Sequence, residues 1–91
     1  MKIKFLPFAK DDFREATAYY KNIDETLAIR FKNEIMISID RIINAPKLYR
    51  IIRDDIRKCV MHVFPYSIYY IAEENVVYIY AISSHYKKFQ I

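Results

Sequence analysis

The 91-residue chain contains no glycine. At the average usage of about 7% a chain of this length would hold roughly six. A left-handed backbone position costs an ordinary residue roughly 1–2 kcal/mol, so the tight turns fall to Asn, Asp or a strained residue. Loops that cradle phosphate need glycine where the backbone approaches the ligand. Neither a Walker-type loop nor a dinucleotide-binding fingerprint can be written in this sequence. Collagen-like and glycine-linker classes go with them.

What remains is 54% hydrophobic, with nine tyrosines and six phenylalanines. Such a chain buries enough apolar surface to offset the entropy of ordering, and its length supports one core. The expectation is a single domain over residues 1–91. Fifteen basic against eleven acidic residues give a net charge of +4, which favours polyanionic partners, either nucleic acid or an acidic protein. The single Cys59 cannot form an internal disulfide, unlike the stapled small secreted domains. The N-terminal apolar stretch is broken by Lys4 and Pro7, and the uncharged run 59–72 holds His62 and Pro65. Neither reads as a signal peptide or a membrane span, so a cytoplasmic protein is expected.

Hydrophobic periodicity organises the chain. Residues 2–7 alternate and then meet Pro7, as in a short edge strand. Ala9, Phe13, Ala16 and Tyr20 recur at helical spacing, with Asp11 and Asp12 expected in the first turn and Asn22 as the stop. A second helix runs through Leu27, Phe31, Ile35, Ile39 and Ile42, capped by Asp24 or Thr26 and ended by Asn44-Ala-Pro46. A connection of two or three residues makes the pair an antiparallel hairpin. Beyond Pro46 the period becomes two. Residues 49–52, 56–64, 67–72 and 76–84 read as strand segments, with turns at Asp54-Asp55 and Glu73-Glu74-Asn75. Asn75 is expected to take the positive φ that glycine usually supplies. The resulting class is α+β: an N-terminal strand and a two-helix hairpin packed on a mainly antiparallel sheet of about four strands, in the order β-α-α-β-β-β.

Of the groups that carry chemistry, the four adjacent acidic pairs all fall at helix starts or turns, where carboxylates cap or face water. Cys59 and His62 are three apart, which puts them on opposite faces of a strand, and no ligand spacing for a metal accompanies them. No cofactor or metal is expected. Lys47, Arg50, Arg53, Arg57 and Lys58 form the nucleic-acid or target-binding candidates, because they interleave with tyrosines whose faces can stack on bases. On residues 76–84 one face carries Val76, Tyr78, Tyr80 and Ile82, and the other carries Val77, Ile79, Ala81 and Ser83. The slimmer aliphatic set is expected to face the helices. Tyrosine is also simply a good strand former with a wet tip, and a sheet edge or face awaiting a partner segment would use the same residues.

Several runs together resemble one family: Ala9-Lys-Asp-Asp-Phe-Arg-Glu-Ala-Thr-Ala-Tyr-Tyr20, Pro46-Lys-Leu-Tyr49, Ile56-Arg57-Lys58, Phe64-Pro-Tyr-Ser-Ile-Tyr-Tyr70 and Ala81-Ile-Ser-Ser-His85-Tyr-Lys-Lys88. They are similar to the RelE/ParE superfamily of toxins from bacterial type II toxin–antitoxin (plasmid stabilisation) systems. The resemblance implies growth arrest, neutralisation by a cognate antitoxin, and one of two targets. RelE-like members cleave messenger RNA on the ribosome; for that chemistry the matching positions are Arg57, His62, His85, Tyr86, Lys87 and Lys88. ParE-like members poison DNA gyrase and are not enzymes. The extension that carries the catalytic tyrosine of RelE-like nucleases has no counterpart here, and Lys88 stands where arginine is common. Asp55 likewise replaces a glycine frequent in the family. These departures lean the expectation toward gyrase, with ribosome-dependent cleavage second and a non-toxic nucleic-acid- or partner-binding module third.

Overall fold

Residues 1–87 are described by a computed structural model. The elements follow in the order β1 (Lys2–Phe5), α1 (Pro7–Ile23), α2 (Glu25–Asn44), β2 (Ile51–Arg53), β3 (Ile56–Val60), β4 (Tyr66–Glu73) and β5 (Val76–Ser84). This is the α+β arrangement expected from the periodicity, with local differences that each have a physical cause.

Pro7 does not merely end β1. It opens α1 directly, because the first helical turn needs no amide donor and proline's fixed φ already suits it. The helix therefore begins two residues before the apolar stripe does, and its first turn holds no acidic residue. Asp11 instead pairs with Arg14 on the surface at 3.8 Å. The two helices are joined by Asp24 alone, in an extended conformation, shorter than the expected connection. Its backbone amide closes α1 on the Tyr20 carbonyl, while its side chain accepts from the Thr26 amide at 3.0 Å to cap α2. Hydrogen bonds from the Thr26 hydroxyl and then its amide hold the Asp24 carboxyl below its ordinary value.

The sheet has five strands in the order β1-β5-β4-β3-β2, one more than the expected four. Consecutive strands from β2 to β5 pair antiparallel, whereas β1 pairs parallel with β5, from Lys2 opposite Val76 to Phe5 opposite Ile79. Helix α1 packs across β5, so the helical hairpin covers one face. Phe31, Ile35, Ile39 and Ile42 of α2 meet Cys59, Ile68, Tyr70, Val77 and Ile79 there in one buried cluster.

The alternation along β5 slips once. Tyr69 lies opposite Ala81, but Tyr70 lies opposite Ile79, so Tyr80 is an extra residue. Such a bulge reverses the inside–outside order beyond it. Val77 and Ile79 face the helices as expected, yet Ile82, rather than Ala81, joins the helix-side core, and Ala81 belongs to the opposite face. Among the described residues the two with positive φ are Asp54 at 51° and Glu74 at 44°. The second falls on Glu74 rather than Asn75, whose carbonyl accepts the Lys2 amide at 2.8 Å and so belongs to the pairing with β1.

Candidate functional site

The basic residues after α2 sit on a segment that the fold fastens from below. The Tyr70 hydroxyl donates to the Pro46 carbonyl at 2.7 Å. One terminal nitrogen of Arg57 donates to the carbonyls of Lys47 at 3.0 Å and Tyr49 at 2.7 Å. The Lys58 amide adds a bond to the Arg50 carbonyl at 3.1 Å. Burial pushes the Tyr70 phenol up to about 12, so it stays a hydrogen-bond donor at any physiological pH. Held this way, the segment presents Lys47, Leu48, Arg50, Ile51, Ile52 and Arg53 to solvent at the β2 edge of the sheet. Of the five binding candidates, Lys47, Arg50 and Arg53 share this edge, and Lys58 lies on the sheet face that the helices leave open. Arg57 points to the other side and anchors the segment instead. Its charge pattern resembles that of its neighbours, so strand alternation was the available signal for setting it apart.

The open face carries a small cluster of Ile56, Tyr69 and Ala81, flanked by Ile71 and Tyr80. The Lys58 ammonium stands 6.0 Å from the centre of the Tyr69 ring, within reach of a cation–π attraction. Tyr69 is hydrogen-bonded to Ser67 and, being only 6% exposed, has its phenol raised by burial. Ser67 is completely buried, and its hydroxyl lies 3.0 Å from Nε2 of the exposed His85. A chain of polar groups thus runs His85–Ser67–Tyr69 beneath a lysine. A serine hydroxyl both donates and accepts, so it can couple the imidazole to the phenol. Tyr69 was named from the sequence only among the tyrosines interleaved with the basic residues, and Ser67 was not singled out. Their positions two apart, on the face opposite Ile68 and Tyr70, were the only available cue.

The remaining nuclease candidates do not gather around this chain. His62 lies beyond the end of β3, where its Nε2 is 2.9 Å from Arg41 of α2. A guanidinium only donates, so Nε2 accepts and the ring proton is on Nδ1. The same arginine donates to Ser38 at 3.0 Å. Tyr86 and Lys87 are exposed in the turn after β5, on the α1 side, and Lys88 lies outside the described residues. Arg57 and His62 therefore face the helix side, His85 the open face, and Tyr86 and Lys87 a third region. Cys59 is buried, with Tyr49 hydrogen-bonded to its sulfur, and burial raises its thiol. Among the described residues no three His, Cys, Asp or Glu side chains come together as a metal site. No helix among them is long and apolar enough to cross a membrane.

Comparison with known proteins adds a family. The model of the ParE toxin of the type II toxin-antitoxin system parDE matches residues 3–89. In the structure of the chromosomal ParDE TA system from P. aeruginosa, one chain superposes with a TM-score of 0.78 at 15% identity, covering 92% of this chain and 95% of that one. At that identity the superposition speaks for the fold. No curated protein matches in sequence.

Proposed function

The chain belongs to the ParE toxins of type II toxin–antitoxin systems, and on that premise we propose that it arrests growth in the bacterial cytoplasm by inhibiting DNA gyrase until a cognate antitoxin binds it. What supports gyrase over messenger RNA is the dispersal of the nuclease candidates. A site that cleaves RNA through attack of the 2′-hydroxyl needs its acid, base and phosphate ligand within hydrogen-bond reach of one reacting group. Here Arg57 is committed to the Lys47 and Tyr49 carbonyls, His62 to Arg41, and His85 to Ser67.

The antitoxin is an acidic, partly disordered segment that orders on binding. It docks at the β2 edge, where Lys47, Arg50 and Arg53 supply charge and Leu48, Ile51 and Ile52 supply apolar contact. An edge strand offers unpaired backbone groups to an incoming strand.

Purified gyrase in a supercoiling assay tests the target, with inhibition expected at micromolar protein. Unimpaired supercoiling, together with codon-phased cuts in translated messages, would instead establish the second reading. That reading draws on one observation, the His85–Ser67–Tyr69 chain under Lys58, and predicts that His85→Ala abolishes the cuts.

A further inference from the structure

The turn after β5 and helix α1 enclose a cleft of about 500 Å³, within the size range of ligand-binding clefts. Its lining is unlike the rest of this basic chain. Asp12 and Glu15 project into it from α1, and Tyr19, Tyr20, Tyr66 and Tyr86 supply rings. Two of these rings are locked from behind: Tyr20 lies 4.9 Å from Phe64, and Tyr66 lies 5.1 Å from Phe31. Tyr19 meets Tyr20 edge-on at 5.2 Å. The floor is therefore preformed.

The carboxylates narrow the occupant. One oxygen of Asp12 accepts the Ile82 amide at 2.9 Å, which fixes the side chain across the end of β5. Its second oxygen has no hydrogen bond among the described residues, and Glu15 has no ion pair there. Burial, and the neighbouring charges of Glu15 and Asp11, raise the Asp12 carboxyl, opposed first by the Ile82 amide and then by Lys87 at the rim. A phosphate or carboxylate ligand would be repelled. An apolar one would cover the second Asp12 oxygen without giving it a hydrogen bond, at a cost. A cation relieves both difficulties. Among cations a guanidinium suits the site best: it is planar and stacks on tyrosine, it is weakly hydrated, and its forked N–H donors match carboxylates such as those of Asp12 and Glu15.

We propose that the cleft between α1 and the end of β5 is a binding site for the guanidinium of an arginine presented by a partner protein. It is separate from the β2 edge and from the open sheet face, and it does not depend on which target the toxin poisons. Lys87, exposed at its mouth, competes with that arginine.

Titration of the full chain with N-acetyl-arginine amide, followed by NMR at the Ile82 amide and the Tyr19 and Tyr86 rings, tests the assignment. Saturable shifts are expected at all three. The citrulline counterpart has the same shape without the charge and should bind roughly tenfold more weakly. The lysine counterpart should fall between them. Glu15→Gln should weaken the arginine compound about fivefold, Tyr19→Ala should weaken it less, and Lys87→Ala should strengthen it. Glu15 and Tyr19 are exposed on α1, and an unshifted Ile82 amide in the free variants verifies their fold. Equal responses to the arginine and citrulline compounds would overturn the proposal. So would the absence of saturation at Ile82, or an unchanged affinity in both Glu15→Gln and Tyr19→Ala.

Discussion

The two faces of the sheet are built on different rules. The helix-facing side collects Phe31, Ile35, Ile39, Ile42, Ile68, Tyr70, Val77 and Ile79 in one cluster, with a second layer of rings around it. The open side has a small apolar cluster of Ile56, Tyr69 and Ala81, and otherwise carries Lys58, half-exposed tyrosines and the link from the buried Ser67 to His85. Hydrophobic stabilisation scales with the apolar area removed from water, so the first face carries the fold. The second keeps its polar groups paired with one another, which leaves it able to meet a partner without large rearrangement. Even the one arginine that β3 turns toward the helices works for structure, since Arg57 fastens the basic segment from which Lys47 and Arg50 project.

Substitutions can break this division. Phe31→Ala should have the largest effect, destabilising by about 3–5 kcal/mol in denaturant unfolding, because the ring is fully buried among Phe13, Tyr20, Phe64 and Tyr66. Tyr70→Phe deletes the donor to the Pro46 carbonyl and should cost about 1–3 kcal/mol. Hydrogen exchange should show residues 46–50 opening with it. On the open face, Lys58→Ala should change stability by less than about 0.5 kcal/mol yet weaken inhibition of gyrase in the supercoiling assay. If Lys58→Ala destabilises the protein as much as Tyr70→Phe does, or leaves inhibition intact, the contrast between the faces fails.

The smallest effect concerns pH. The folded-state value of Asp12 is raised, so between the unfolded value of 3.8 and that raised value the folded protein binds more protons than the unfolded chain. This group's contribution therefore falls as pH rises through that window and is regained on acidification. Asp24 is lowered and has the opposite sign: its contribution is present above 3.8 and lost as pH falls through its folded value. Asp12→Asn keeps an acceptor for the Ile82 amide but removes the titration. Its unfolding free energy between pH 3 and 7 should accordingly rise more steeply with pH than that of the parent protein. A parallel curve would mean that Asp12 does not couple to folding.

Local periodicity made the helical hairpin, the strand segments after Pro46 and the basic, tyrosine-rich character of the sheet half legible from the sequence, because neighbouring side chains decide those features. The candidate site was legible only in part. Lys47, Arg50, Arg53, Lys58 and His85 lie exposed or half-exposed where a partner could reach them; Arg57 was grouped with them by charge although alternation sets it on the other face, alternation itself fell short at Tyr80, and turn chemistry fell short at Glu74. The missing glycine was the clearest instance of what composition alone determines: it removed phosphate-cradling loops and left Asp54 and Glu74 to hold positive φ. The tertiary structure decided the rest. The parallel pairing of β1 with β5 and the carboxylate of Asp12 on the Ile82 amide join residues from opposite ends of the chain, and the bulge that sends Ile82 inward is set by the pairing of β5 with β4. No local pattern encodes such contacts, because their stability arises only once the helices and the sheet exclude water from one another.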